Sequence, residues 1–433
     1  MSKIIDEPKG IDIIGGGLAG AEAALQLRKR GVQVRLFEAK PLWRSPVHKN
    51  NGLAEIVCSN SLKSMISTTA SGTLKNELDI LDCELLKIAR EVSVPAGSAL
   101  AVDRDAFSAR VTHAVISSGA EIVNEVVTEI DTDRLTLVCA GPVCHDGLAR
   151  ALSEISGERS LSFYDAAAPI ITADCVDMNR AFFGARYGKG GDDYLNCPMS
   201  KDEYMAFYDA LCNAERAIDE IGGVFEGCMP VEVMARRGVD ALRYGPLRPV
   251  GFREAGKPYA VLQLRRENTL STLYNMVGFQ TNLKFGEQKR VFSMIPALSN
   301  IEIVRYGVMH RNTFINAPQV LNADLRLKNA QKVFVVGQLC GVEGYVESIA
   351  TGLLAAINAY RLSVGKATVV PPKETVLGAL CEYITMPNKD FQPMNANFGI
   401  LPPLCDVKKS ERKLAYYERS DRAMRQWSDG ERP

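Results

Sequence analysis

A chain of 433 residues, 46% hydrophobic and 24% charged, is long enough for two or three domains around a large core, and no apolar run approaches a membrane span, so a soluble protein is expected. Net charge is zero, yet residues 228–311 carry 13 Lys and Arg against 6 Asp and Glu, a balance compatible with one region binding a polyanion. Eleven cysteines, an odd number without C-x-x-C spacing, argue against a disulfide framework or a zinc site and for a reducing cytoplasm, as does an N-terminus, "MSKIIDEPKG", that lacks the apolar stretch of a secretory signal.

Residues 11–38 predict a β-α-β unit: "IDII" a strand, "GGGLAG" a glycine turn, "LAGAEAALQLRKR" a helix stopped by Gly31, and "VQVRLFE" a second strand. The turn reads G-x-G-x-x-G through Gly15, Gly17 and Gly20, with Gly16, Leu18 and Ala19 between them and Glu38 eighteen residues after Gly20. Gly15 permits the tight turn, Gly17 lets a pyrophosphate approach the backbone, and Gly20 lets helix pack on strand. The helix N-terminus then faces phosphates, and Glu38 accepts hydrogen bonds from a ribose.

Downstream, "GSALAVDRDAFSARVTHAVISSG" (97–119) predicts a turn and a helix, while "AEIVNEVVTEI" (120–130) and "LTLVCAG" (135–141) predict successive strands. The texture changes near 191, where a loop and helix precede the strand-like "KPYAVLQLRREN" and "TLYNMVGFQTNLKF". Residues 191–300 therefore read as an inserted α+β domain between the two parts of a nucleotide-binding domain, 8–190 and 301–433. Residues 332–359 predict an apolar strand, a glycine turn and an Ala-rich helix, and "VVPPKET" (369–375) a short linker. A second strand–glycine–helix element is how folds of the glutathione-reductase type bring a helix end to a flavin ring, so FAD is favoured over NAD as the tightly held cofactor. Gly337, Gly341 and Gly344 would let the backbone approach that ring, with Tyr345 beside it.

Two cysteines stand out. Cys58, in "AEIVCSNSL", sits among small hydrogen-bonding residues rather than in an apolar run, and Cys228 lies in "FEGCMPVEVMARRG". Pro230 is placed to start a helix through "VEVMARRG", so Cys228 would lie where partial positive charge favours thiolate.

"GGGLAGAEAA", "AEIVCSNSLKS", "VPAGSALAVDRDAFS", "FYDAAAPI", "DYLNCPM", "FEGCMPVEVMARRG", "YGPLRPVG", "TLYNMVGFQT", "VRYGVMHRNTFINAP", "GVEGYVESIATG" and "FGILPPL" carry a resemblance that spans nearly the whole chain. The sequence resembles the folate- and FAD-dependent tRNA uracil-5-methyltransferase family. It departs from the family at Lys40, where an Arg is usual, and in keeping only His48 of a histidine pair. The resemblance implies a glutathione-reductase-type FAD-binding Rossmann-like α/β fold and C5-methylation of an RNA uridine, with the T-loop uridine at tRNA position 54 as the leading target. Methylenetetrahydrofolate would be the carbon donor, reduced FAD the methylene carrier and reductant, and NADH or NADPH the source of electrons. A thiolate must add to uracil C6 before C5 can attack an electrophile; Cys228 is assigned that role and Cys58 the acid/base role, the reverse assignment remaining open. His310 and Arg311 are candidates for folate carboxylate or RNA phosphate. Arg236, Arg237, Lys284, Lys289 and Arg290 are candidates for a basic RNA-binding face. A 23S ribosomal RNA uridine is the alternative target within the same chemistry. A flavin oxidoreductase or a wobble-uridine modification flavoprotein is the alternative outside it. No membrane association and no obligate protein partner are expected.

Overall fold

The computed structural model describes residues 10–158, 161–188, 190–218, 229–252, 257–389 and 391–431. Strand β1 (Ile11–Ile14) is four consecutive buried residues, the pattern of a strand covered on both faces. Gly15 turns the chain at φ +103° into helix α1 (Leu18–Lys29), which Gly31 helps to end at φ +75°. Strand β2 (Val34–Glu38) then returns beside β1, Ile11 opposite Val34. Helix α2 (Ala70–Ile80) and helix α3 (Arg104–Ser117) follow, the latter capped by the Asp103 carboxylate, which accepts from the Ala106 N–H. Strand β3 (Glu121–Asn124) and strand β4 (Thr136–Val138) flank β2 and β1. The strand expected over 120–130 stops at Asn124, and Glu125, Val126 and Val127 instead line a cavity.

The chain next builds β5 (Leu161–Ala166), β6 (Ile170–Thr172), the two-residue β7 (Phe182–Phe183), β8 (Tyr194–Met199) and helix α4 (Lys201–Cys212). A capping box between Ser200 and Glu203 starts α4. Helix α5 (Val231–Ala235), β9 (Ala260–Arg266), β10 (Leu273–Met276), β11 (Ile303–Arg305) and β12 (Met309–Phe314) complete the middle. Strand β13 (Val333–Val335), then helices α6 (Tyr345–Ser363), α7 (Val376–Thr385) and α8 (Arg412–Glu431) close the chain.

Two sheets organise these elements. A parallel sheet runs β13-β4-β1-β2-β3, and an antiparallel sheet runs β7-β8-β9-β10-β6-β11, each over its own hydrophobic core. The antiparallel sheet draws strands from Ile170 to Arg305, past both ends of the 191–300 span suggested by texture. The β5–β12 ribbon joins the two, with His310 opposite Asp165. On the parallel sheet α1 and α6 touch so closely that a Cβ at Gly352 would lie 2.3 Å from the Ala19 carbonyl oxygen. The stretch 369–375 is no free linker. Thr375 is fully buried and its hydroxyl caps α7, whose first N–H groups, on Val376 and Leu377, donate to Glu77 of α2. The α/β class read from the sequence is what the chain builds. No helix among the described residues is long and apolar enough to cross a membrane.

Candidate active site

A cavity of about 370 Å³ opens where β1, β2 and β4 end. The switch point of a parallel sheet places such crevices at the carboxyl ends of its strands. Its floor is the turn Gly15–Ala19, its sides the residues after β2 and β4, and its far wall Gly337, Gly344 and the start of α6. The three glycines of the turn stand in different surroundings. A Cβ at Gly15 would sit 2.5 Å from Ala140 Cα, and one at Gly20 would sit 2.0 Å from the Gly15 carbonyl oxygen. At Gly17 a Cβ would meet nothing closer than the Cys139 carbonyl oxygen at 3.9 Å. Internal packing therefore does not demand glycine at 17, and its lack of a side chain keeps the floor open for a ligand. No side chain caps α1 at Gly17, so its first N–H groups remain available to an anion.

Glu38, 8% exposed, accepts the Gly16 N–H at 3.1 Å through Oε2 and the Lys40 N–H at 3.0 Å through Oε1. Each oxygen keeps a second acceptor position for a ribose hydroxyl. The donor set, glycine floor and carboxylate together fit a dinucleotide. Lys40 is engaged within the cavity wall: its ammonium donates to the Gly52 carbonyl at 2.7 Å and lies 3.7 Å from Glu55, tying down the loop that leads to Cys58.

Cys58 is half-buried on the cavity wall. Its Sγ lies 2.7 Å from the Oη of Tyr345, the first residue of α6. That oxygen also accepts the N–H groups of Cys58 at 2.9 Å and Ser59 at 3.3 Å. A tyrosine hydroxyl has two acceptor positions and one hydrogen, so with both positions taken the hydrogen is directed at sulfur. Burial, then the Asp165 carboxylate, push the Cys58 thiol up to about 11, opposed by the Tyr345 bond. The resting group is a thiol whose sulfur already receives a proton donor, an arrangement suited to giving and retrieving a proton.

Carboxylates gather beside it. Asp165 Oδ2 lies 3.7 Å from His310 Nε2 and 3.4 Å from Asn312 Nδ2. Burial depresses the His310 imidazole, partly offset by Asp165. Burial and then Asp165 raise the Glu343 carboxyl to about 8, against hydrogen bonds from Gln338 Nε2 at 2.8 Å. Among the described residues, His310 Nδ1 and Asn312 Oδ1 are buried with no partner at hydrogen-bond geometry, although both residues line the cavity. Buried polar atoms are almost always satisfied, so these two mark positions for a ligand or ordered water.

Two arginines hold the Cys58 loop from behind. Arg104, at the start of α3, donates to the carbonyls of Ile56 and Val57 at 2.9 Å and pairs with Glu267. Arg265 of β9 donates to Ser59 Oγ and Asn60 Oδ1, both at 2.8 Å. Sequence reasoning did not single out Arg104, Arg265, Asp165 or Glu343, though all but Arg265 lie inside stretches that carried the family resemblance.

The structure gathers Gly15, Gly16, Gly17, Leu18, Ala19, Glu38, Gly337, Gly344, Tyr345, Cys58 and His310 around one cavity. Gly20 serves packing. Gly341 does too, since its Cβ would lie 2.4 Å from Phe391 Cζ. Tyr345 meets the thiol. Arg311 alternates with His310 along β12 and is exposed, away from the lining. Arg236, Arg237, Lys289 and Arg290 are exposed and outside the cavity; Arg236 donates to the Cys212 carbonyl at 3.1 Å and Arg290 clasps Glu287 at 2.9 and 2.6 Å. Lys284 lies 2.7 Å from Glu215. Cys228 lies outside the described residues. The helix expected through "VEVMARRG" is only the five residues of α5, too short to lend the dipole argument weight. The Val231 N–H, three residues after Cys228, donates to the Gln280 carbonyl at 2.7 Å, and Gln280 lines the cavity.

Comparison with known proteins bears on the family and the fold. A match to the family described as "Glucose inhibited division protein A" spans residues 10–367. The chain is 50% identical over 430 residues to "Methylenetetrahydrofolate--tRNA-(uracil-5-)-methyltransferase TrmFO" of Syntrophomonas wolfei, covering 97% of this chain and 98% of that protein. It is 51% identical over 423 residues to the protein of the same name from Acetivibrio thermocellus, covering 96% and 97%. Among solved structures, Aquifex aeolicus GidA in its form II crystal superimposes with TM-score 0.72 at 15% identity, covering 100% of this chain and 74% of that one. That likeness speaks for the fold alone: a Rossmann-like core with an added antiparallel sheet.

Proposed function

Because the chain belongs to the methylenetetrahydrofolate--tRNA-(uracil-5-)-methyltransferase family, we propose that it methylates C5 of a tRNA uridine, the T-loop uridine at position 54, with methylenetetrahydrofolate as carbon donor. The observation that carries this reading is the reactive end of the cavity. There Cys58, with a tyrosine hydroxyl at 2.7 Å from its sulfur, faces unsatisfied polar groups on a dinucleotide-shaped floor.

The Gly15–Ala19 turn and the α1 N-terminus would hold the pyrophosphate of FAD, and Glu38 a ribose. Bound FAD supplies the carrier for the one-carbon unit and, reduced by NADH or NADPH, the hydride that turns methylene into methyl. The chain's own residues supply the rest. The Cys228 thiolate adds to uracil C6, which moves electron density to C5 and makes that carbon the nucleophile. Once C5 has bonded to the one-carbon unit, its hydrogen must leave as a proton before the C6–S bond breaks. Cys58 is the acid/base: as a thiol it gives its proton to the folate nitrogen that releases the one-carbon unit. As the thiolate that Tyr345 stabilises, it accepts the C5 proton afterwards. His310 and Asn312 offer their unpaired atoms to folate or base, and Asp165 orients His310.

Incubating an unmodified tRNA transcript with the enzyme, methylenetetrahydrofolate, FAD and NADPH should yield 5-methyluridine at position 54. A transcript carrying cytidine at 54 should stay unmethylated. Methylation at another tRNA position, or of ribosomal RNA only, would replace the T-loop assignment.

A further inference from the structure

We propose that the outer edge of the antiparallel sheet, around Arg186, Tyr187 and Arg248, is the platform that grips the substrate RNA, taking phosphate on the arginines and an unpaired base on the tyrosine. The inference rests on the RNA-methylation reading and adds the surface that delivers the uridine.

Arg186 is fixed rather than free. Its Nε donates to Gln263 Oε1 at 2.8 Å and its NH1 to the carbonyls of Arg248 and, at 3.1 Å, Val250. Its guanidinium lies 4.8 Å from the centre of the Phe252 ring. Arg248 is exposed beside it, and among the described residues neither arginine meets a carboxylate. Burial, with Arg248 adding like charge, lowers the Arg186 guanidinium to about 10. Two neighbouring cations with no acidic partner among the described residues leave positive charge for an anion to meet. Two cations elsewhere on this module are matched, Arg290 by Glu287 and Lys284 by Glu215.

Aromatic surface is interleaved with that charge. Tyr187 is 55% exposed and held at φ +59°, its N–H donating to the Gly251 carbonyl at 2.7 Å. Phe183, on the edge strand β7, is 39% exposed. Cations tracking a backbone beside exposed rings that stack bases are the recurring means of holding single-stranded nucleic acid.

The platform is tied through β9 to the loop that forms the Cys58 wall of the cavity. Gln263 and Arg265 are same-face neighbours on β9, about 7 Å apart by the rise of a strand. Gln263 holds Arg186, while Arg265 holds Ser59 and Asn60, immediately after Cys58. One strand therefore carries the grip at one point and the reactive loop at the next.

Filter binding of an unmodified tRNA transcript, with Kd followed from about 50 mM salt upward, tests this. Arg248→Glu is expected to weaken binding tenfold or more and to reduce the slope of log affinity against log salt by about one or two. Tyr187→Ala should weaken binding by roughly tenfold with the slope unchanged, because stacking is neutral. Arg290→Glu, whose charge is already matched, should change affinity less than either. Unaltered melting temperature and flavin content report that the variants are folded. If both platform variants bind like wild type, or Arg290→Glu weakens binding as much as Arg248→Glu, the platform is wrong while methylation stands. If wild type neither binds nor methylates the transcript, both readings fall.

Discussion

The Tyr345 hydroxyl lies 2.7 Å from Cys58 Sγ while its oxygen accepts the backbone N–H groups of Cys58 and Ser59. A side chain 287 positions away in sequence thus both shapes the Cys58 loop and supplies the sulfur with a hydrogen-bond donor.

Replacing Tyr345 with Phe deletes both services. Two N–H groups lose their acceptor, a stability cost of about 1–3 kcal/mol, and methylation should fall by about 10²–10⁴-fold, the usual worth of positioned acid/base chemistry. The Tyr345 bond lowers the Cys58 thiol from where burial alone would hold it, so in the variant the thiol should titrate higher still. Iodoacetamide labelling of Cys58, read by peptide mass spectrometry against pH, checks this. Wild type should gain reactivity only on approaching about 11. Rapid labelling at neutral pH would contradict it.

The glycine turn yields a paired prediction. Gly20→Ala forces a Cβ to 2.0 Å from the Gly15 carbonyl oxygen and should destabilise the fold by about 1–3 kcal/mol. Gly17→Ala meets nothing closer than the Cys139 carbonyl oxygen at 3.9 Å. Its flavin-free melting temperature should stay close to wild type, while flavin affinity drops by roughly tenfold or more. Flavin titration beside thermal melts separates the two; equal loss of stability in both would contradict the division of labour.

Glu77 makes folding pH-sensitive. Its carboxyl accepts from the N–H groups of Val376 and Leu377, at 2.6 and 2.9 Å, and from Ser420, and burial raises it to about 7 from 4.5. A group raised in the folded state contributes its full stability below the unfolded value and loses it as pH climbs through the folded one. The wild-type melting temperature should therefore decline between about pH 5 and pH 8, and Glu77→Gln, which cannot titrate, should flatten the decline. An identical slope in the variant would show that another group is responsible.

The legible parts of this molecule are those whose determinants lie close together in sequence. The β1-α1-β2 unit is written in a buried apolar tetrad, three glycines and an acid, each with one mechanical task. Tertiary relationships were hidden. His310 faces Asp165 only because β12 pairs with β5, a register no local pattern announces. Once "VMHRNTF" is a strand, alternation alone turns Arg311 away from His310, but that segment has no clear two-residue period. Tyr345 reads as a ring near a cofactor because nothing beside it in sequence mentions Cys58. The Pro-Pro pair in "VVPPKET" suggests a linker, whereas the carboxylate that docks the following helix comes from Glu77.

The most direct test of the account is the identity of the sulfur that attacks uracil. A T-arm RNA carrying 5-fluorouridine at the target position cannot lose its C5 substituent as a proton, so the covalent complex should persist. With wild type and Cys58→Ala, peptide mapping should place the RNA on Cys228, and Cys228→Ala should form no complex and no 5-methyluridine. A cross-link carried by Cys58, or methylation that survives the loss of Cys228, would contradict the assignment.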